Sequence, residues 1–193
     1  MTIIGAKWCL TLLLLSGLLA GAFAQPGHDP AKLIAAQKEA LSKLAVLDGE
    51  WRGAAWILTP TGKHTITQTE RVGPFLDGSV RVIEGKGYEA DGTESFNALG
   101  IISFDVATGS YSMRSYAQGR AGDFPVTLTE DGFEWEIEAG PMTIKYKAVV
   151  TDGKWTETGV RVMPNQEPVP FFEMTLTRIG DSRWPAAGAV ARE

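Results

Sequence analysis

Two hydrophobic periodicities divide this chain near Asp48. Before that point, apolar side chains recur at helical spacing, and Asp29-Pro30 supplies an N-cap followed by proline at the first helical position. We predict one amphipathic helix over residues 30–47 that ends at Asp48-Gly49, where glycine can adopt a positive φ. Its stripe consists of Leu33, Gln37, Leu41, Leu44 and Leu47, with Ala36 and Ala40 beside them.

From Glu50 onward the hydrophobic period changes to two, and turn signals such as Asp131-Gly132 and Asp152-Gly153 separate the runs. Many short strands joined by tight turns, with no helical run between them, predict an all-β fold. We predict a closed antiparallel up-and-down barrel of about ten strands, with a sandwich as the alternative. The predicted strands are 51–59, 64–72, 79–88, 94–104, 110–118, 125–129, 133–138, 143–151, 154–162 and 169–179.

Alternation in two neighbouring runs predicts which strand faces are solvated. Glu134 and Glu136 lie on one face of the run 133–138, while Phe133 and Trp135 lie on the other. The next run carries lysines in the same alternation, so the two polar faces lie side by side. We expect Glu–Lys pairs across these strands on the outer surface of the barrel.

The N-terminus has the pattern of a secretory signal peptide over residues 1–24. Lys7 precedes an apolar run at 10–19, and Ala22-Phe23-Ala24 provides the small residues of a cleavage site. We predict a periplasmic or secreted protein without a stable membrane anchor, because this run is shorter than the roughly 20 residues that span a bilayer. The remaining divisions are a linker at 25–29, a helix-plus-barrel domain at 30–180 and a flexible tail at 181–193.

Composition argues against several kinds of site. Cys9 is the only cysteine and leaves with the signal peptide, so disulfides and cysteine chemistry are excluded. Loss of Lys7 leaves 17 basic against 23 acidic residues, and a net negative chain argues against a nucleic-acid partner. With only His28 and His64, a zinc cluster is not expected, and no Gly-x-Ser-x-Gly motif occurs. We predict no metal ion and assign no catalytic residue.

One short motif resembles a known family. Gly49-Glu50-Trp51 follows the predicted helix, and Arg178 lies in the last predicted strand. This combination resembles the calycin signature of lipocalins and fatty-acid-binding proteins. The resemblance implies that Arg178 packs across the Trp51 indole in a cation–π contact, and that Gly49, Trp51 and Arg178 close the barrel base.

Further stretches at 112–116, 122–125 and 133–137 resemble an uncharacterised family of bacterial secreted proteins with a lipocalin-like barrel, over about residues 44–180. That family has no assigned activity. The predicted shape also resembles nitrobindin, a ten-stranded barrel that holds haem through a histidine late in the chain. No histidine follows His64, so we predict no cofactor.

Candidate binding residues lie in the middle of the chain. Arg114 and Tyr116 share one strand face, and Arg120 follows in the next predicted turn. Fatty-acid-binding barrels hold a ligand carboxylate with such an arginine and tyrosine, and an inward arginine is costly unless it meets an anion. Alternation equally allows both to point outward, with Tyr111, Met113 and Ser115 inside. Trp135 and Trp155 are candidates for the ligand-binding wall or for plain core packing.

These features predict a barrel that binds a small, mostly apolar ligand, such as an acidic lipid, in its interior. Two alternatives stay open. The first is a barrel enzyme that uses inward glutamate and tyrosine, and the strand acids available are Glu70, Glu84, Glu157 and Glu173. The second is a filled barrel that acts as an interaction module. The helix could cap one mouth of the barrel, pack outside it or pair with a second chain, which leaves a homodimer open.

Overall fold

Ten antiparallel strands pair in chain order, and the first strand also pairs with the last, so the sheet closes into a barrel. The computed structural model describes residues 29–184, and the predicted signal peptide, most of the linker and the tail after residue 184 lie outside the described residues. The predicted fold class is confirmed. The strands are β1 Gly49–Thr59, β2 Gly62–Phe75, β3 Val80–Tyr88, β4 Glu94–Asp105, β5 Ser110–Ala117, β6 Arg120–Leu128, β7 Gly132–Ala139, β8 Met142–Thr151, β9 Lys154–Val162 and β10 Val169–Gly180.

Two predicted turns fall inside strands. β6 begins at Arg120, not after Gly122-Asp123, because Gln118 and Gly119 form a tight hairpin with φ values of 50° and 74°. Two successive residues with positive φ match the right-handed twist of the flanking strands. Likewise β2 runs through Gly73-Pro74 to Phe75 before the chain turns.

The N-terminal helix covers one end of the barrel. It is shorter than predicted: α1 spans Pro30–Ser42, and a separate 3-10 helix spans Ala45–Leu47. The Asp29 carboxylate accepts a hydrogen bond from the Ala31 amide at 3.0 Å, as the predicted N-cap requires. Leu41, Leu44 and Leu47 of the predicted stripe, with Ala40, are buried in the same cluster as the barrel core, whereas Leu33 and Gln37 are half-buried. Capping is therefore the observed arrangement among the three alternatives. The prediction of a homodimer stays a prediction.

Polar contacts from the barrel fix this helical cap. The Tyr111 hydroxyl donates to the Ala40 carbonyl at 3.0 Å. The buried Arg81 donates to the Leu41 carbonyl at 2.9 Å and to Asp48 Oδ2 at 3.1 Å. Burial lowers the pKa of Arg81 although Asp48 opposes the shift, and burial raises the pKa of Asp48 although Arg81 and Arg178 oppose it. Desolvation therefore outweighs attraction in both pKa shifts, and the hydrogen bonds of Arg81 fix the position of the helical cap.

The residues of the predicted closure lie together, but their contacts differ from those implied by the resemblance. Trp51 and Arg178 are opposite each other on β1 and β10. The Trp51 indole donates to the Leu47 carbonyl at 2.8 Å and meets Trp155 edge-on. Arg178 donates to the Asp48 carbonyl at 3.1 Å. The predicted cation–π contact is wrong, since the cation–π pairs formed within residues 29–184 involve other side chains.

Gly49 makes room for the arginine. It has φ +139°, and a Cβ there would lie 2.7 Å from Arg178 Nε. A larger residue would therefore displace the guanidinium from the Asp48 carbonyl.

The outer face of β7 and β8 carries the predicted charge pairs. Lys147 lies 3.4 Å from Glu134, and Lys145 lies 3.5 Å from Glu136. Both pairs are exposed, so they mark the solvated faces of the two strands and add little stability.

The described start of the predicted tail is packed, because the Trp184 ring meets Phe75 edge-on at 5.0 Å between centroids.

No helix within residues 29–184 is long and apolar enough to cross a membrane.

Candidate functional site

The barrel encloses a cavity of about 730 Å³ that opens at the end opposite the helix. Most of its lining is apolar, from side chains such as Ile66, Met113 and Phe133. The opening is formed by polar residues at the strand ends, among them His64 and Arg120. A cavity of this size and lining falls in the range of small-molecule sites.

Two candidate anchors point outward, which is one of the two orientations that alternation left open. Arg114 and Tyr116 lie on the outer face of β5, where Arg114 pairs with Asp123 across the β5–β6 hairpin and stands 5.5 Å from the Tyr116 ring centroid. Met113 and Ser115 alternate with them and line the cavity. A carboxylate partner satisfies Arg114 outside the barrel, so burial is not needed. A ligand-binding role for Arg114 and Tyr116 stays a prediction, on the outer face.

The three other candidates all reach the cavity. Arg120 stands exposed at the opening. Trp135 and Trp155 line the interior, and Trp155 is 1% exposed. Their wall positions agree with the prediction, while ligand binding by them stays a prediction.

The deepest polar group in the cavity is the carboxylate of Glu70 on β2. Its side chain is 9% exposed, and its Oε1 accepts a hydrogen bond from Gln68 Nε2 at 2.7 Å. Burial raises the pKa of Glu70 to about 8, opposed by the Gln68 bond and reinforced by the negative charges of Glu157 and Glu84. Near neutral pH this carboxyl therefore holds its proton for a large part of the time.

Glycines on the adjacent strand make room for that polar pair. Gly85 lies opposite Glu70 in the β2–β3 ladder, and a Cβ there would be 2.7 Å from Glu70 Oε1. A Cβ at Gly87 would be 2.5 Å from Ile66 Cδ1. The β3–β4 ladder shifts its register between Gly87 and Tyr88. Close approach of side chains thus explains the Gly85-Lys86-Gly87 sequence together with the irregularity.

A second carboxylate, Glu157 on β9, faces the same cavity. It is 8% exposed, and its Oε1 accepts a hydrogen bond from Trp135 Nε1 at 3.3 Å. The buried Trp155 N–H has no hydrogen bond of normal geometry, yet it is near enough to oppose the shift in the Glu157 pKa. Burial nevertheless raises that pKa to about 7. Both acids therefore titrate near neutral pH.

An aromatic wall adjoins Glu157. The Trp135 and Tyr146 rings stack with centroids 4.2 Å apart and planes 8° from parallel. Phe171 and Phe172 meet the Tyr146 ring edge-on at 5.8 and 6.0 Å. Burial and the Glu157 charge raise the pKa of Tyr146 to about 12, against the opposing charge of Arg161. Tyr146 therefore stays protonated near neutral pH.

The sequence held a signal for this site that the prediction used only in part. Gln68 and Glu70 alternate with exposed or half-buried threonines, in the same phase as buried Val72. Glu157 likewise follows Trp155 at a spacing of two. Period two therefore places these polar residues on the inner face. The sequence prediction assigns the two acids to an enzyme and not to binding, and it does not include Gln68 or Tyr146.

Metal binding finds no support in the part of the chain that the structure describes, because no three His, Asp or Glu side chains cluster there in a way that could hold an ion. His64 bonds to Glu89 Oε1 at 3.1 Å at the cavity opening. The interior chemistry of the cavity is therefore that of Glu70, Glu157, Gln68 and the aromatic wall.

Comparison with known proteins identifies a fold relative only. No protein-family model matches the chain, and no curated protein matches it. A solved structure, the crystal structure of Rv2717c from M. tuberculosis, is similar with a TM-score of 0.54 and 14% identity, over 74% of this chain and 97% of that one. The resemblance to lipocalins and nitrobindin stays a prediction. At this identity, the similarity to the M. tuberculosis protein shows a shared ten-stranded barrel fold and nothing about ligand or activity.

Proposed function

We propose that this protein binds a small, mostly apolar molecule inside its barrel, in the periplasm or outside the cell. The observation that carries the proposal is the cavity of about 730 Å³, which is apolar in most of its lining and open at one end. A filled interaction module fits this interior less well.

Burial of the ligand would supply most of the affinity. Removal of about 300 Å² of apolar ligand surface from water contributes roughly 7 kcal/mol before the entropy cost of association. The few polar groups at Glu70, Gln68 and Glu157 would orient the ligand. An acidic lipid fits this interior less well, because the polar groups deep inside are acidic and the cationic lining residues, His64 and Arg120, are at the opening.

Titration with Nile red, an uncharged dye whose fluorescence rises in apolar surroundings, tests the proposal. Ser115 lines the cavity, whereas Ser112 lies on the outer face of the same strand. We expect Ser115→Trp to fill part of the cavity and weaken dye binding at least tenfold, while Ser112→Trp leaves it unchanged. Equal binding by the two variants, or no binding by the wild-type protein, would contradict the proposal.

An enzyme is the second candidate, favoured by the buried carboxyls of Glu70 and Glu157. A carboxylate with a pKa of about 7 suits general acid–base chemistry at neutral pH. Such a base would remove a proton from the carbon next to the carbonyl of cyclohexanone, so exchange of that hydrogen for deuterium from the solvent would report it. Exchange that exceeds the buffer rate and is lost in Glu157→Gln supports this candidate, and exchange at the buffer rate counts against it.

A further inference from the structure

Two carboxylates face the cavity without a cationic partner. Neither Glu70 nor Glu157 takes part in any ion pair formed within residues 29–184. Glu70 receives its hydrogen bond at Oε1 from the neutral amide of Gln68, and no described donor reaches Oε2. Buried charges in proteins are normally paired. Within the described residues, the cavity therefore contains a carboxylate oxygen, Glu70 Oε2, that accepts no hydrogen bond and is available to a ligand.

The aromatic wall stands next to one of these acids. Trp135 both stacks on Tyr146 and donates its N–H to Glu157. The faces and edges of Tyr146, Phe171 and Phe172 continue the wall. An aromatic face attracts a cation through its quadrupole, and such walls recognise ammonium groups. The Arg161 guanidinium already lies 4.5 Å from the Phe171 ring centroid, which shows that this cluster accepts a cation at its edge.

Charges around the cavity are arranged with the negative groups inside. The guanidinium of Arg120 is exposed at the opening, and so is the His64 imidazole, which bonds to Glu89. An incoming carboxylate would meet two acids in the interior. An uncharged ligand would leave both acids unpaired.

We propose that the ligand is an organic cation, a protonated amine with an apolar body, whose nitrogen is held by Glu70 and Glu157 and whose body lies against the Trp135–Tyr146 wall. This inference rests on the proposed binding function and adds the chemical class of the ligand. Each buried carboxylate is unfavourable without a cationic partner. The ammonium group of the ligand would supply that partner and would donate hydrogen bonds to the carboxylate oxygens.

Calorimetric titration with three molecules of equal chain length tests the inference: decylamine, decanol and decanoate, each below its aggregation threshold. Decylamine should bind at least tenfold more tightly than decanol, and decanoate should bind most weakly. Glu70→Gln and Glu157→Gln should each remove most of the preference for decylamine over decanol. The matched control is Glu173→Gln, an acid on β10 that does not line the cavity, which should keep the preference.

A pH series on the wild-type protein tests the same inference without a substitution in the site. Decylamine affinity should rise from about pH 5 to about pH 9 as the two acids lose their protons, while decanol affinity stays constant. Other titratable groups near the cavity are Glu89, Tyr146, Arg161 and His64, and the His64 imidazole lies at the opening. The rise should therefore persist in His64→Gln.

The possible outcomes separate the two proposals. Decylamine that binds no more tightly than decanol, or an affinity that does not change with pH, overturns the inference. If Nile red still binds in the cavity in that case, the proposed binding function stands. If Nile red does not bind either, both proposals fail.

Discussion

The carboxylate of Glu70 occupies the space that a side chain at Gly85 would fill. The two residues are opposite each other on β2 and β3, and a Cβ on Gly85 would lie 2.7 Å from Oε1 and 2.8 Å from Oε2 of Glu70. The glycine is thus a condition for an acid at this depth in the barrel, because no other residue leaves the space free.

Gly85→Ala should therefore destabilise the protein by about 1–3 kcal/mol, the usual cost of an extra methyl group in a packed interior. The added Cβ would push the Glu70 carboxylate away from Gln68. Urea unfolding followed by tryptophan fluorescence measures the change. Gly100→Ala is the matched control, since its Cβ would come no closer to another atom than 3.2 Å, to the Met113 sulfur. A Gly85 variant as stable as the Gly100 variant would contradict this account of the glycine.

Stability should fall as pH rises from about 5 to about 8. Burial raises the pKa values of Glu70 and Glu157 from 4.5 to about 8 and about 7. The folded protein therefore holds protons in this window that the unfolded chain releases. The free energy of unfolding should decrease by an amount on the order of a few kcal/mol across it.

Urea midpoints at intervals of one pH unit would show this slope, and Glu70→Gln should flatten it by removal of one titrating group. Glu173→Gln, whose carboxylate does not line the cavity, should retain the slope. A wild-type protein that is as stable at pH 8 as at pH 5 would contradict the burial of ionisable acids inside the barrel.

Arg81→Met should cost about 2–3 kcal/mol, because it leaves Asp48 and the Leu41 carbonyl without their buried donor. The exposed Arg114→Met, which removes a surface pair, should cost less than about 1 kcal/mol. Thermal unfolding of the two variants distinguishes these cases.

A double variant tests the cause of that cost. Asp48→Asn added to Arg81→Met removes the unpaired carboxylate and should restore part of the lost stability. Strictly additive losses would show that the charge pair does not couple the helical cap to β3.

Trp51→Phe should destabilise the closed end by about 1–3 kcal/mol, because the Leu47 carbonyl loses the indole N–H that lies 2.8 Å away. Trp56→Phe is the matched control on the same strand. Trp56 lies on the opposite strand face, where the Lys63 ammonium stands 3.6 Å from its ring centroid. Trp56→Phe should therefore lower the free energy of unfolding by less than about 1 kcal/mol. Midpoints in guanidinium chloride measure both, and equal shifts would rule out a special role for Trp51.

The sequence by itself determined the elements and the closure of the sheet. Period two, hairpin dipeptides and the lack of helical runs after Glu50 are local signals, and local backbone preference is enough to place ten strands. The same signals failed at Gly122-Asp123, because a glycine that admits the Phe124 ring looks identical in sequence to a turn glycine. The calycin resemblance of Trp51 and Arg178 favours a closed barrel over a sandwich, whereas the contacts at the barrel base depend on the tertiary structure.

Only the tertiary structure decided which chemistry lies inside. Alternation leaves two choices of face for each strand, and only the likeness to fatty-acid-binding barrels points to Arg114 and Tyr116 as interior anchors. Pairing across the β5–β6 hairpin gives Arg114 a carboxylate partner outside the barrel, while Gly85 makes space for Glu70 within it. Both contacts join residues on different strands. The pattern within one strand cannot encode them, because they depend on cross-strand register and on the space that neighbouring strands leave.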